Sequence, residues 1–220
     1  ILPQEAFFFH CLLLLGRFTF LPLLFLDNYY EKKDAGREYF SMIGTYAEAH
    51  GSDIFIKYIK DAYENGSKQK FQIATRSDIT KMLSDPVYKE MQDKGQLLVQ
   101  QGRPLTEEEM NAAYRRSIAT WNGYRRSTQS GVLPNAFMQG TPVIATKLGS
   151  FEEFIEPWCT GAFIDNFEFY TITDTVSKIR EAGSIINENC RTFFLAHFYY
   201  RNQLDAFKKI VNEVDSEGTK

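Results

Sequence analysis

The sequence predicts an α/β protein in which a doubly wound parallel sheet carries helices on both faces. Three observations lead to this. Short apolar runs alternate with helical patterns from Tyr39 almost to the C-terminal end. The runs are strand-sized, whereas the segments between them are long enough for crossover helices. Polar, often glycine-bearing turns follow most runs, such as Gly44 to Gly51 and Asn122 to Gly131. Right-handed crossovers collect such turns at one edge of a parallel sheet, and ligands bind there.

"YFSMIG" from Tyr39 reads as a buried strand ending in glycine. Ile54, Phe55, Ile59 and Ala62 then recur at helical spacing, which predicts an amphipathic helix over Ser52 to Glu64. "KFQIA" from Lys70 and "QLLVQ" from Gln96 are the next two strands. Thr106 with Glu109 forms a capping-box pattern that opens a helix to about Tyr114. "SIATW" from Ser117 and "TPVIAT" from Thr141 are strands, with a helix over Val132 to Gln139 between them. "AFI" from Ala162 ends the strands, and helices fill the rest to about Val214.

The N-terminal segment is different in kind. Ala6 to Leu26 is almost wholly apolar, and a membrane span needs roughly 20 such residues. His10, Gly16, Arg17 and Pro22 interrupt it, and a mid-span arginine is costly. The interruptions favour two short buried strands around a turn at Gly16, with the membrane or signal segment kept as the alternative. "NYYEKKDAGRE" from Asn28 then reads as a polar linker. Ile1 in place of methionine predicts a piece of a longer protein.

Composition narrows the chemistry. The 220 residues are 44% hydrophobic and 24% charged, an ordinary globular mix. A net charge of -3 gives no electrostatic footprint for nucleic acid. Cys11, Cys159 and Cys190 are scattered, as are His10, His50 and His197, so neither a disulfide framework nor a metal site is indicated. A reducing, cytoplasmic setting fits.

The stretch from Tyr124 to Ile155 carries the chemistry. Ser127, Thr128, Gln129 and Ser130 are small polar residues ahead of a helix, and Gly131 permits close approach of a ligand. The amides of Gly131, Val132 and Leu133 would be the free donors of a helix N-terminus, which suits a phosphate. Arg125 and Arg126 add cations. The plainer reading is an ordinary helix cap beside a solvated arginine pair.

"STQSGVLPNAFMQGTPVIATKLGSFEEFI" resembles the signature of the group 1 glycosyltransferases, retaining enzymes of two Rossmann-like domains (the GT-B architecture). Gly140, Pro142, Val143, Ile144, Ala145, Thr146, Gly149 and Glu153 fall on its pattern. The stretch from Tyr39 to Ala74 is similar to the opening strand, glycine turn, helix and second strand of the donor-binding domain. The resemblance implies that the chain is the C-terminal half of such an enzyme. Residues 1–38 would be the tail of an N-terminal acceptor domain plus linker, 39–195 the nucleotide-sugar domain, and 196–220 a closing helix.

The resemblance also implies roles. The donor diphosphate would meet Gly44, Thr45, His50 and Gly51, where the family carries arginine and lysine at the places of Thr45 and His50. Threonine cannot neutralise a phosphate, and histidine does so only in part at neutral pH. The family's sugar- and ribose-binding glutamates align with Ser127 and Asn135. Arg76 could supply phosphate charge, against a plainer reading as a surface arginine, and Arg103 lies in the loop that brackets the nucleobase. Ser127, His50 and Arg76 are thus the catalytic candidates. No side chain in these turns is a dedicated general base, which suits a retaining, metal-independent transfer driven by leaving-group stabilisation.

The implied reaction moves a sugar from a UDP- or GDP-linked donor to a saccharide or lipid-linked acceptor, as in cell-surface polysaccharide synthesis, and needs no further cofactor. A lipid-linked acceptor would bring the protein to the inner face of the membrane. Two alternatives stand beside it: a non-catalytic binding or assembly module of the same fold, and a nucleotide-sugar epimerase. The epimerase lacks a visible His/Asp/Glu acid-base set.

Overall fold

The structure is a computed structural model that describes residues 12–14, 17–19, 24–29, 36–126 and 130–217. Two short N-terminal strands, β1 (Leu12–Leu14) and β2 (Arg17–Thr19), pair antiparallel with Leu12 opposite Thr19. Among the described residues no helix is long and apolar enough to cross a membrane.

The alternation then runs as the sequence predicts. In order come β3 (Tyr39–Ile43), α1 (Ser52–Glu64), β4 (Lys70–Ala74), α2 (Pro86–Asp93) and β5 (Leu97–Gln100). They are followed by α3 (Glu107–Arg115), β6 (Ser117–Asn122), α4 (Val132–Met138), β7 (Val143–Thr146) and α5 (Ser150–Phe154). β8 (Gly161–Ile164), α6 (Phe169–Ala182), α7 (Ser184–His197) and α8 (Leu204–Glu217) complete the chain. Strands β3 to β8 form one six-stranded parallel sheet in the order β5-β4-β3-β6-β7-β8. This is the doubly wound order, with its switch point between β3 and β6.

The two faces of the sheet bury different chemistry. Phe40, Met42, Phe71, Ile73, Trp121 and Ile144 pack against α1, α2 and α6 in an aromatic-rich core. The opposite core joins Ile43, Val143 and Ala145 to α3, α4, α5 and α7. Buried polar side chains interrupt the strands on that second side. Ser117 donates to Ser41 Oγ at 2.6 Å, and Gln72 donates to Ala113 O at 3.2 Å. Alternation in "YFSMI" explains the split, because neighbouring side chains point to opposite faces.

Two helices lie outside the sequence reading. Helix α2 starts at Asp85, whose carboxylate accepts from the Val87 amide at 3.0 Å, with Pro86 in the first helical position. Helix α5 occupies the turn after β7 and is a single short turn.

The polar stretch read as linker is partly built into the domain. Arg37 donates to Ser117 O at 2.9 Å, Thr141 Oγ1 at 2.8 Å and Gln139 O at 2.6 Å. It joins the start of β6 to the turn between α4 and β7, and burial pushes its pKa down. Farther back, Phe25 donates its amide to Phe198 O at 2.8 Å, and Asp27 pairs with Arg191.

Candidate functional site

Because the chain leaves β3 for α1 on one face and β6 for α4 on the other, the C-terminal ends of these neighbours part. A cavity of about 310 Å³ opens there. Its floor is Met42, Ile43 and Trp121, and its sides come from the two turns that follow β3 and β6.

The first turn is held largely by bonds to the end of β4 and the turn that follows it. Gly44 donates its amide to Ala74 O at 2.9 Å. The Tyr46 amide donates to Thr75 Oγ1 at 3.3 Å and Ser77 Oγ at 3.2 Å, and the Ala47 amide donates to Ser52 Oγ at 3.1 Å. These amides are satisfied within the protein. Thr45 is exposed, and its carbonyl oxygen lies 3.3 Å from His50 Nδ1.

Gly51 ends the turn and caps α1 with φ +66°, a conformation that favours glycine. A Cβ at this position would stand 2.1 Å from Gly123 O, so the two turns touch backbone to backbone. The Trp121 indole donates to Gly51 O at 2.9 Å and closes the same junction from below.

The second turn is anchored by Tyr124, which is 7% exposed. Its ring stacks on His50 with centroids 4.4 Å apart and planes 14° from parallel. Its hydroxyl lies 3.3 Å from Ser130 Oγ, and burial raises its pKa. His50 is thereby oriented by a carbonyl on one side and a ring on the other. The Arg125 amide donates to Ala49 O at 2.8 Å, which ties the turns together again.

The Arg125 guanidinium forks onto Asp53, 2.7 Å and 2.8 Å from its two oxygens, and reaches Glu48 O at 2.6 Å. That hydrogen bond is the main reason the Asp53 carboxyl is held below the usual range. Arg125 therefore serves the α1 start, and its charge is matched by Asp53.

Helix α4 begins at Gly131, where an added Cβ would meet nothing within 4 Å. The Val132 amide donates to Ser130 Oγ at 3.3 Å, and Asn135 donates its side-chain amide to Gly131 O at 2.7 Å. Asn135 is left to offer a ligand its carbonyl oxygen.

Of the residues expected from the sequence, Gly44, Thr45, His50, Ser130, Gly131, Val132 and Asn135 meet around this one cavity. Ser127, Thr128 and Gln129 lie outside the described residues. Gly51 supports the wall from behind. The Leu133 side chain is fully buried in the core under α4. Arg76 is exposed and stands outside the lining. Arg103 also stands outside it, forked onto Glu109 at 2.9 Å and 2.5 Å.

The sequence reading missed Ser52, Met110, Tyr114, Trp121 and Tyr124, all of which line the cavity. Tyr124 and Trp121 flank the turn at Gly123, a position where their signal was present. Tyr114 and Met110 come from α3, and only the sheet order brings that helix beside the switch point.

The fold has solved counterparts. TarM superposes with a TM-score of 0.66 at 14% identity, over 88% of this chain and 39% of TarM. The pneumococcal O-GlcNAc transferase GtfA, solved with UDP and GlcNAc, gives 0.60 at 18% identity, over 89% of this chain and 40% of GtfA. The C-terminal domain of a group 1 family glycosyl transferase (LpcC) from Francisella tularensis gives 0.57 at 16% identity, over 74% and 87%. The chain thus spans about two-fifths of the length of TarM and GtfA. No protein-family model matches the sequence. No curated protein matches it either.

Proposed function

We propose that this chain is the donor-binding half of a glycosyltransferase, and that a UDP- or GDP-linked sugar occupies the cavity between the turns after β3 and β6. The observation that carries the reading is the cavity itself: it lies at the switch point, and seven residues singled out for donor contact border it. Shared fold with GtfA, solved with UDP and GlcNAc, supports it.

In this reading the nucleoside would lie toward Asn135, whose acceptor oxygen suits a ribose hydroxyl. The diphosphate would face Gly131, which is open to close approach, and His50. Here His50 takes the place of the cations expected in such a loop. Its imidazole, stacked on Tyr124 and bonded at Thr45 O, is positioned to hydrogen-bond the leaving group. We read the transfer as retaining and metal-independent, with a saccharide or lipid-linked acceptor held by a further domain.

Calorimetric titration of the chain with UDP, GDP and UDP-sugars tests this. Binding that is lost in Gly131→Glu, a substitution at an open surface position, is the expected result. Absence of binding to every one of these nucleotides would overturn the reading and leave the fold as an assembly module.

A further inference from the structure

At the opposite edge of the sheet a second cavity, of about 440 Å³, lies below the starts of β3 and β4 and between α1 and α6. It is separate from the first, since α1 passes from Ser52 in one wall to Tyr58 in the other.

Its charge is unlike that of the protein as a whole. The chain carries a net -3, yet this wall contains Lys68, Lys70, Arg180 and Arg37 against the single carboxylate of Glu38. Lys70 pairs with Glu38 at 2.7 Å, and Arg180 bonds the neutral side-chain oxygen of Gln69. The Arg37 guanidinium is committed to the carbonyls under β6. Among the described residues, Lys68 and Arg180 form no ion pair. Two cations therefore face one concavity uncompensated, a third shares its only carboxylate, and mutual repulsion favours an anion between them.

One neutral donor and two acceptors stand beside them. Ser67 Oγ accepts from the Gln69 amide at 3.1 Å, which frees its own O–H to donate. Thr173 donates to Phe169 O at 2.8 Å, so the Tyr58 hydroxyl, 3.1 Å from Thr173 Oγ1, donates to it, and both oxygens are left as acceptors. Tyr58 is 5% exposed, so its ring face offers no platform for a nucleobase.

We infer that this cavity is a second ligand site, for a small phosphomonoester of sugar-phosphate size. Its dianion needs more than one cation and a hydroxyl donor, which Ser67 supplies, and its own hydroxyls can donate to the Thr173 and Ser177 oxygens, whose protons are spent on Phe169 O and Thr173 O.

Calorimetry of the whole chain with ribose 5-phosphate, against sodium chloride of matched ionic strength, reads this directly. Saturable binding of one ligand per chain is expected. The double variant Lys68→Gln/Arg180→Gln should weaken it about tenfold or more, from two charge-assisted contacts. Both side chains are exposed, so circular dichroism should be unchanged. Gly131→Glu, at the other cavity, should leave the binding intact. Heats equal to those of chloride, binding indifferent to the double variant, or binding abolished by Gly131→Glu would each overturn the inference.

Discussion

The indole Nε1 of Trp121 donates to the carbonyl oxygen of Gly51 across 2.9 Å, so the central strand β6 holds the start of α1 by a single buried bond. The ring meets Phe40 edge-on at 6.2 Å and is nearly enclosed. Trp121→Phe keeps an aromatic ring but strands the Gly51 carbonyl and leaves a small void. We expect about 2 kcal/mol of destabilisation, read as a lower urea midpoint at unchanged slope.

Gly51 and Gly131 should respond oppositely to alanine. At Gly51 the left-handed backbone and the Gly123 carbonyl 2.1 Å from an added Cβ force one of the two turns to move. Gly51→Ala should cost about 3 kcal/mol and deform the cavity wall. Gly131 has φ -67° and open space, so Gly131→Ala should be neutral or stabilise by about 0.5 kcal/mol. Paired thermal melts separate the two outcomes.

Arg37 should prove a structural residue. Its planar fork serves Ser117 O, Gln139 O and Thr141 Oγ1 together. Arg37→Met strands these acceptors and should cost about 3 kcal/mol. Arg37→Lys, a point charge on a flexible stem, should recover less than half of the loss. Urea denaturation of the three proteins is the measurement.

The Asp53–Arg125 pair should add stability that depends on pH. Its partner holds the Asp53 carboxyl lowered in the folded state, so the contribution is present above the ordinary aspartate pKa and is lost as pH falls through the lowered value. With side chains 41% and 39% exposed, solvent screening limits it to about 0.5 kcal/mol. A double-mutant cycle with Asp53→Asn and Arg125→Gln should find that coupling at pH 7 and a shrinking one as pH falls below the ordinary aspartate range.

Much of the sheet was legible because its strands are short, apolar and buried on both faces. The bounds of α1 and β4 follow from apolar spacing alone, and the box at Thr106 and Glu109 is present as predicted, with bonds of 2.9 Å and 3.2 Å. Helix α2 was missed although Asp85 and Pro86 mark its start, because its apolar face amounts to little more than Tyr88 and Met91. The cavity was legible where one turn supplied it and illegible where distant elements converged. Tyr114 and Met110 reach it through a sheet order that no local pattern encodes. Arg37 sat in a charged run that reads as solvated, and its role appears only once Ser117 and Thr141 are neighbours.

The position of β3 has a consequence in time. It joins β4 after one crossover, but Tyr39 meets Ser117 only after two strands and three helices have intervened in the chain. The β3–β6 seam therefore closes the largest loop at the centre of the sheet. Its closure should set the folding rate, with the β3-α1-β4 unit collapsing first. The switch-point cavity, which spans that seam, would be among the last features to appear during refolding.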